Sequence, residues 1–152
     1  MYFWKIDKLN EQLISDGLSE SEQFKYLMAN SILYALAVIQ YETPNDYDTL
    51  AGVVGVFVTI FGLWLIYKCN GGINGKQIIQ RYLSVGFIVF IRVFVLFMLP
   101  AVIASLVIQE MYLGGIPEET TMSLFIVILA SQVVLIFLSA KHINYIAKRT
   151  NA

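Results

Sequence analysis

Charge is scarce in this chain: 14% of its 152 residues are Asp, Glu, Lys or Arg, where a soluble domain carries about a quarter. A single cysteine, Cys69, excludes an internal disulfide and any paired-thiol redox relay. A single histidine, His142, cannot supply both axial ligands of a membrane haem. No group of Cys, His, Asp and Glu has metal-ligand spacing, so neither a metal nor another cofactor is expected. All 11 acids lie outside the long apolar runs, which argues against proton coupling through an intramembrane carboxylate. The runs hold no candidate nucleophile or carboxylate pair, and no catalytic residue is assigned, so the chain reads as a non-enzyme. With 10 Lys and Arg against 11 Asp and Glu it has no basic excess, and no nucleic-acid partner is expected. The N-terminus lacks the short apolar core and small-residue cleavage site of a secretory signal. No Asn-x-Ser/Thr sequon is present.

What the chain has instead is apolar length. Hydrophobic residues make up 58% and mean hydropathy is +0.69, which predicts an all-α integral membrane protein. Four runs are long enough to be read as transmembrane helices: 26–41, 50–67, 82–108 and 122–140. A bilayer core of about 30 Å needs roughly 20 helical residues per crossing, so four crossings leave little chain for a second core. The organisation expected is a cytoplasmic amphipathic helix over residues 1–18 and one four-helix transmembrane domain over 19–152. The first run is the weakest, because it is short and carries Asn30, Ser31 and Gln40. An interfacial helix is the alternative there.

Lys and Arg in the five segments flanking the runs number 3, 0, 3, 0 and 3. Acids concentrate in the two cation-free segments, with Glu42, Asp46 and Asp48 in one and Glu110, Glu118 and Glu119 in the other. The positive-inside rule then places both termini in the cytoplasm of a multi-pass inner-membrane protein.

Phe3, Ile6, Leu9 and Leu13 recur at helical spacing, while Lys5, Asp7, Lys8, Glu11 and Gln12 fall mostly elsewhere, which predicts the amphipathic helix. Gly17 is expected to stop it. Ser19-Glu20-Ser21-Glu22 has capping-box form and should start the next helix. The stretch from Lys68 to Lys76, with Gly71, Gly72 and Gly75, predicts a tight non-helical reversal. Gly75-Lys76 is no phosphate loop, because Asn70 and Gln77 stand where that pattern needs Gly and Ser or Thr.

Arg92 is the one charge within an apolar run, about ten residues into the third, where arginine costs roughly 2.5–3.5 kcal/mol to insert. Thr59 and Gln132, counted inward along their own runs, reach a similar depth. Arg92 is therefore expected to face the bundle interior and donate to Gln132 and Thr59, with Asn30 and Ser31 nearby. The alternative is an arginine that snorkels or simply ties helices together. Pro100 should free the carbonyl of Leu96 and kink the third run, as a hinge or as a way to fit an overlong helix. Ala51, Gly55 and Thr59 repeat every four residues, with Gly52 and Gly62 alongside, giving a smooth face for close helix contact within or between chains. Trp4, Trp64, Tyr26, Tyr41, Tyr67 and Tyr82 read as interfacial anchors.

Four-span families with legible signatures do not fit. The chain lacks the paired cysteines of quinone-linked disulfide oxidases, the intramembrane glutamate of small multidrug exporters and the Arg, Asn and Glu motif of membrane glutathione transferases. Two readings follow. In the first, the protein self-associates as a homo-oligomer in the lipid bilayer and forms a pore or small-solute path around Arg92, although the acidic outer mouth argues against free anion entry. In the second, it is a non-transporting anchor or sensing subunit that docks a cytoplasmic protein partner through Trp4, Lys5, Lys8 and the Gly71-Gly72 loop.

Overall fold

The computed structural model describes residues 2, 4–37, 45–113 and 121–150, and every regular element among them is helical. Phe3, the expected end of the first run with Gln40, Tyr41 and Glu42, and the segment holding Glu118 and Glu119 lie outside the described residues.

Local chemistry sets most helix ends. Helix α1, Ile6–Ser15, stops before Gly17, whose φ of +74° is open to glycine but strained for other residues. Helix α2, Glu20–Ala37, starts at the expected capping box: Glu22 N–H donates to Ser19 Oγ (3.4 Å), and Ser19 N–H donates to Glu22 Oε2 (3.1 Å). Helix α3, Asp46–Cys69, opens on a second box that the sequence reading did not notice. There Asp48 N–H donates to Asn45 Oδ1 (3.1 Å), and Asn45 N–H donates to Asp48 Oδ2 (3.0 Å). The chain reverses through Gly71, at φ +102°, and one 3-10 turn over Gly72–Asn74. The predicted reversal is thus present but includes a short helical turn.

Helix α4, Ile78–Val93, continues through a π turn, Phe94–Met98, into α5, Leu99–Leu113. In that turn Leu99 N–H reaches five residues back to the carbonyl of Phe94. Pro100, with no N–H to donate, follows at once, and the extra residue per turn absorbs the register change that the sequence suggested would be a kink. Helix α6 is Met122–Thr150.

Three stretches, Asp46–Cys69, Ile78–Tyr112 and Met122–Thr150, are long and apolar enough to cross a membrane, which marks the chain as a membrane protein. Each extends past the run expected from hydropathy, because the helical ladder continues beyond the last apolar residue wherever packing supports it. The described part of α2 does not reach that combination of length and apolarity.

Paired contacts define the directions. Arg81 meets Thr150 at one end of α4 and α6, and Gln109 at the far end of α5 meets Ser123, so the long α4–α5 helix and α6 are antiparallel. Tyr47 lies beside Phe125 and Gly62 beside Ile136, so α3 and α6 run the same way. Trp4 meets Arg92 and Leu18 meets Gln80, so α1 runs antiparallel to α4. The end that carries α1 is called proximal below, and the Tyr47–Phe125 end distal.

The buried apolar core is almost wholly proximal. Its members are Ile6, Leu9, Leu13 and Leu18, Tyr26 of α2, Ile66 of α3, residues between Val85 and Val93 of α4, and Ala140, Ile143, Ile146 and Ala147 of α6. Toward the distal end the apolar side chains turn outward, with Phe57, Leu96 and Ile103 all more than half exposed. A soluble protein rarely leaves so large an apolar surface uncovered, whereas a lipid-facing helix requires it.

Candidate functional site

Several polar contacts of the described residues meet where α1 packs against α2 and the proximal ends of α4 and α6. A ten-residue helix is too short to be stable alone in water, so α1 owes its fold to docking. Ile6, Leu9 and Leu13 are at most 2% exposed, and burying each contributes about 1.5–3 kcal/mol. Polar contacts then fix its position. Asn10 Nδ2 and His142 Nδ1 are 3.0 Å apart. Tyr2 N–H donates to the Tyr26 hydroxyl (2.9 Å), and Gln12 Nε2 donates to Glu22 (3.1 Å). The Ser19 backbone N–H holds the Glu22 carboxyl below its usual range, helped by the Gln12 amide and the Ser19 hydroxyl and opposed by partial burial.

Arg92 belongs to this junction. Its Nη2 donates to the backbone carbonyl of Trp4, and its guanidinium lies 5.7 Å from the centre of the Trp4 ring. The expected bonds to Gln132 and Thr59 are not made. The reason is register. With Arg81 opposite Thr150 and Gln109 opposite Ser123, Arg92 falls opposite about Ser139 at 1.5 Å per residue. There the apolar run of α6 gives way to Lys141 and His142, and the charges of Arg92, Asp7 and Lys141 all act on His142. Counting from the first apolar residue of the third run overestimated the depth, because the first four turns of α4 are covered by α1, α2 and α6.

A second knot that the sequence did not reveal lies at the loop. Arg81 is 1% exposed; Nη1 donates to Asn70 Oδ1 (2.9 Å) and Nη2 to Thr150 Oγ1 (2.7 Å). Asn70 Nδ2 also donates to the Lys76 carbonyl (3.2 Å), closing the reversal. A Cβ on Gly75 would stand 2.5 Å from the Asn70 carbonyl oxygen, so glycine is required for that close approach. In the sequence Arg81 was one of three cations of an inner segment, and nothing in its neighbours marked it as buried.

The small residues of α3 serve a contact inside the chain. A Cβ at Gly62 would meet Ile136 Cδ1 at 2.6 Å, and one at Gly55 would lie 3.8 Å from the Gln132 amide. Ala51 is half-buried, and Gly52 faces open space. Among the described residues Gln132 Oε1 is buried without a hydrogen-bond partner. Thr59 and Asn30 line a cavity bounded by α2, α3, α4 and α6, whereas Ser31 is exposed and outside it. Asn30 Nδ2 donates to the carbonyls of Tyr26 (2.8 Å) and Leu83 (3.1 Å).

Of the expected interfacial aromatics, Trp4, Trp64, Tyr67 and Tyr82 are exposed, but Tyr26 is fully buried with its ring edge on Phe87. Lys5, Lys8 and Gly71 are exposed, Gly72 is half-buried, and Pro100 is exposed beside the π turn. At the distal end the hydroxyls of Ser105 (3.1 Å), Thr121 (2.7 Å) and Ser123 all lie within hydrogen-bond reach of Gln109 Nε2, tying α5 to the start of α6.

No protein-family model matches the chain, and searches of curated proteins and of solved structures likewise find no match.

Proposed function

We propose that the chain is a non-enzymatic, four-pass protein of the inner membrane whose working surface is the proximal end, where it anchors or senses for a cytoplasmic protein partner. The carrying observation is the commitment of Arg92 to α1. The one charge that motivated a solute path is held by the Trp4 carbonyl and ring, and Asn10 with His142 and Gln12 with Glu22 add further polar contacts where α1 docks.

Two observations support the threading. Leu18 accepts from Gln80 at the proximal end, and Tyr47 lies against Phe125 at the distal end, which supports a fourth crossing of which α2 is part. Apart from Arg92, all Lys and Arg, from Lys5 to Arg149, lie in the segments at the proximal ends of the apolar runs, as the positive-inside rule requires of a cytoplasmic face. Lys5, Lys8 and the Gly71-Gly72 loop are the contacts offered to a partner.

A pore formed by a homo-oligomer is the second reading. It is favoured by Gln132, whose amide sits among apolar residues with Oε1 unpaired. An intramembrane amide often finds a partner on another helix.

One experiment separates the two. Wild type and Arg92→Gln are reconstituted in liposomes for ion flux, while photo-crosslinkers at Lys8 and Tyr112 report neighbours in cells. The anchor reading expects no flux above empty liposomes and one discrete adduct from Lys8 but not Tyr112. Flux that depends on Arg92 would overturn it. Reporter fusions at Asn45 and Asn74 test the threading, with external and cytoplasmic signals expected in turn.

A further inference from the structure

The cavity between α2, α3, α4 and α6 has no residue of α1 in its lining. Its volume is about 310 Å³, at the lower end of the range of about 300–1,000 Å³ usual for ligand pockets. No charged side chain lines it. Tyr82 and Asn30 stand toward the loop end of α4, and Phe90 and Leu135 line the deeper part. Tyr82 and Leu63 at the margin are 40% and 46% exposed, so the opening faces the surroundings of the helices.

Two features set this cavity apart from a packing defect. Ser139 lines it, is 2% exposed, and makes no side-chain hydrogen bond among the described residues. A buried serine on a helix ordinarily bonds back to the carbonyl four residues earlier, as Ser84 does to Gln80 and Ser131 to Val127. An unpaired hydroxyl beside an apolar void is costly unless something completes it. Gly86, also on the wall, leaves the space open: a Cβ there would meet nothing within 4 Å. Most side chains at that position would fill part of the void.

We infer that this cavity binds an uncharged, single-chain amphiphile, with its hydroxyl or carbonyl head on Ser139 and its hydrocarbon chain along the apolar wall that includes Phe90, Leu135 and Ile66. The wall offers neutral hydrogen-bonding groups and no counter-charge, so an ionised head would be desolvated without compensation. The volume suits one chain and not two. The flanking helices are membrane-spanning, so the ligand arrives by way of the bilayer and needs no aqueous entrance.

The test uses the full chain in lipid nanodiscs with three photoreactive probes that carry a diazirine in the same alkyl chain. One ends in a hydroxyl, one in a phosphate, and the third is a diacyl phospholipid. Adducts are mapped by mass spectrometry. The hydroxyl probe should label the segments around Gly62–Ile66 and Gly86–Phe90, and excess unlabelled long-chain alcohol should compete it away. Gly86→Leu, which fills the void, should reduce that labelling by about tenfold or more while leaving labelling near Leu96 and Ile103 unchanged. Ser139→Ala should weaken competition by about three- to tenfold, the worth of one hydrogen bond. If Gly86→Leu does not yield folded protein, Gly86→Ala and Ser139→Ala carry the test. Labelling spread evenly over the exposed apolar faces, equal labelling by the phosphate or the diacyl probe, or indifference to these substitutions would overturn the inference.

Discussion

Gly62→Ala should loosen the seam between α3 and α6, and the structure indicates by how much. The added methyl would stand 2.6 Å from Ile136 Cδ1, 2.8 Å from Cγ1 and 3.4 Å from Cγ2. Carbon atoms pack best at about 3.5–4.0 Å, so the nearest pair must separate by roughly 1 Å. Ile136 cannot swing away freely, because a β-branched side chain on a helix has essentially one χ1 well. Overpacking of this kind costs about 1–3 kcal/mol, partly offset by the gain of up to about 1 kcal/mol when alanine replaces glycine in a helix. Gly52→Ala on the same helix supplies the control, since a Cβ there meets nothing within 4 Å and only the gain applies. The expected difference between the two variants is therefore about 1–3 kcal/mol, read from equilibrium unfolding in mixed detergent micelles. Ile136→Val removes Cδ1, the atom in closest conflict. Combined with Gly62→Ala it should recover part of the loss, as a coupling of about 0.5–3 kcal/mol in a double-mutant cycle. Equal stability of Gly62→Ala and Gly52→Ala, or an additive double variant, would refute the close-contact argument and return the glycine face to a role between chains.

Leu9→Ala should undock α1 at a cost of about 2–5 kcal/mol, seen as faster amide exchange from Ile6 to Leu13 while α5 is unaffected. Trp4→Ala removes only an exposed ring contact worth about 0.5–1 kcal/mol, so its exchange pattern should change at the start of α1 alone. Arg81→Lys should destabilise the loop by about 1–3 kcal/mol, because a point ammonium cannot bond Asn70 and Thr150 as the planar fork does; limited proteolysis between Asn70 and Gln77 reports it. Glu22 contributes to stability in its charged form, since its folded pKa lies below the ordinary carboxylate value. That contribution is complete above the unfolded pKa of about 4.3 and is lost as pH falls through the lower folded value. Glu22→Gln keeps the capping bond but should flatten that acidic limb in thermal melts; an unchanged pH profile would refute the assignment.

Several features were legible in residue order alone because their causes are local. The Ser19–Glu22 box and the stop at Gly17 depend on backbone geometry within one turn, and both stand where the sequence put them. Apolar length marked four runs as membrane-spanning, and three of them lie in helices long and apolar enough to cross, since the tally of side chains along one helix needs no partner. The small face of α3 was visible too, but not what it touches.

What lies opposite what was decided by tertiary structure. Hydropathy locates a residue along its own helix, whereas its surroundings depend on the offset between neighbouring helices, and no local signal encodes that offset. The pairing of Arg81 with Thr150 moved Arg92 from the expected mid-depth to the level of His142, and the docking of α1 supplied Trp4 as its partner. Arg81 was an ordinary loop cation by composition, and only the convergence of the ends of α3, α4 and α6 buried it. Ser139 likewise owes its unpaired hydroxyl to the gap that four helices leave around Gly86, because a void belongs to the packing of helices and to no single one of them.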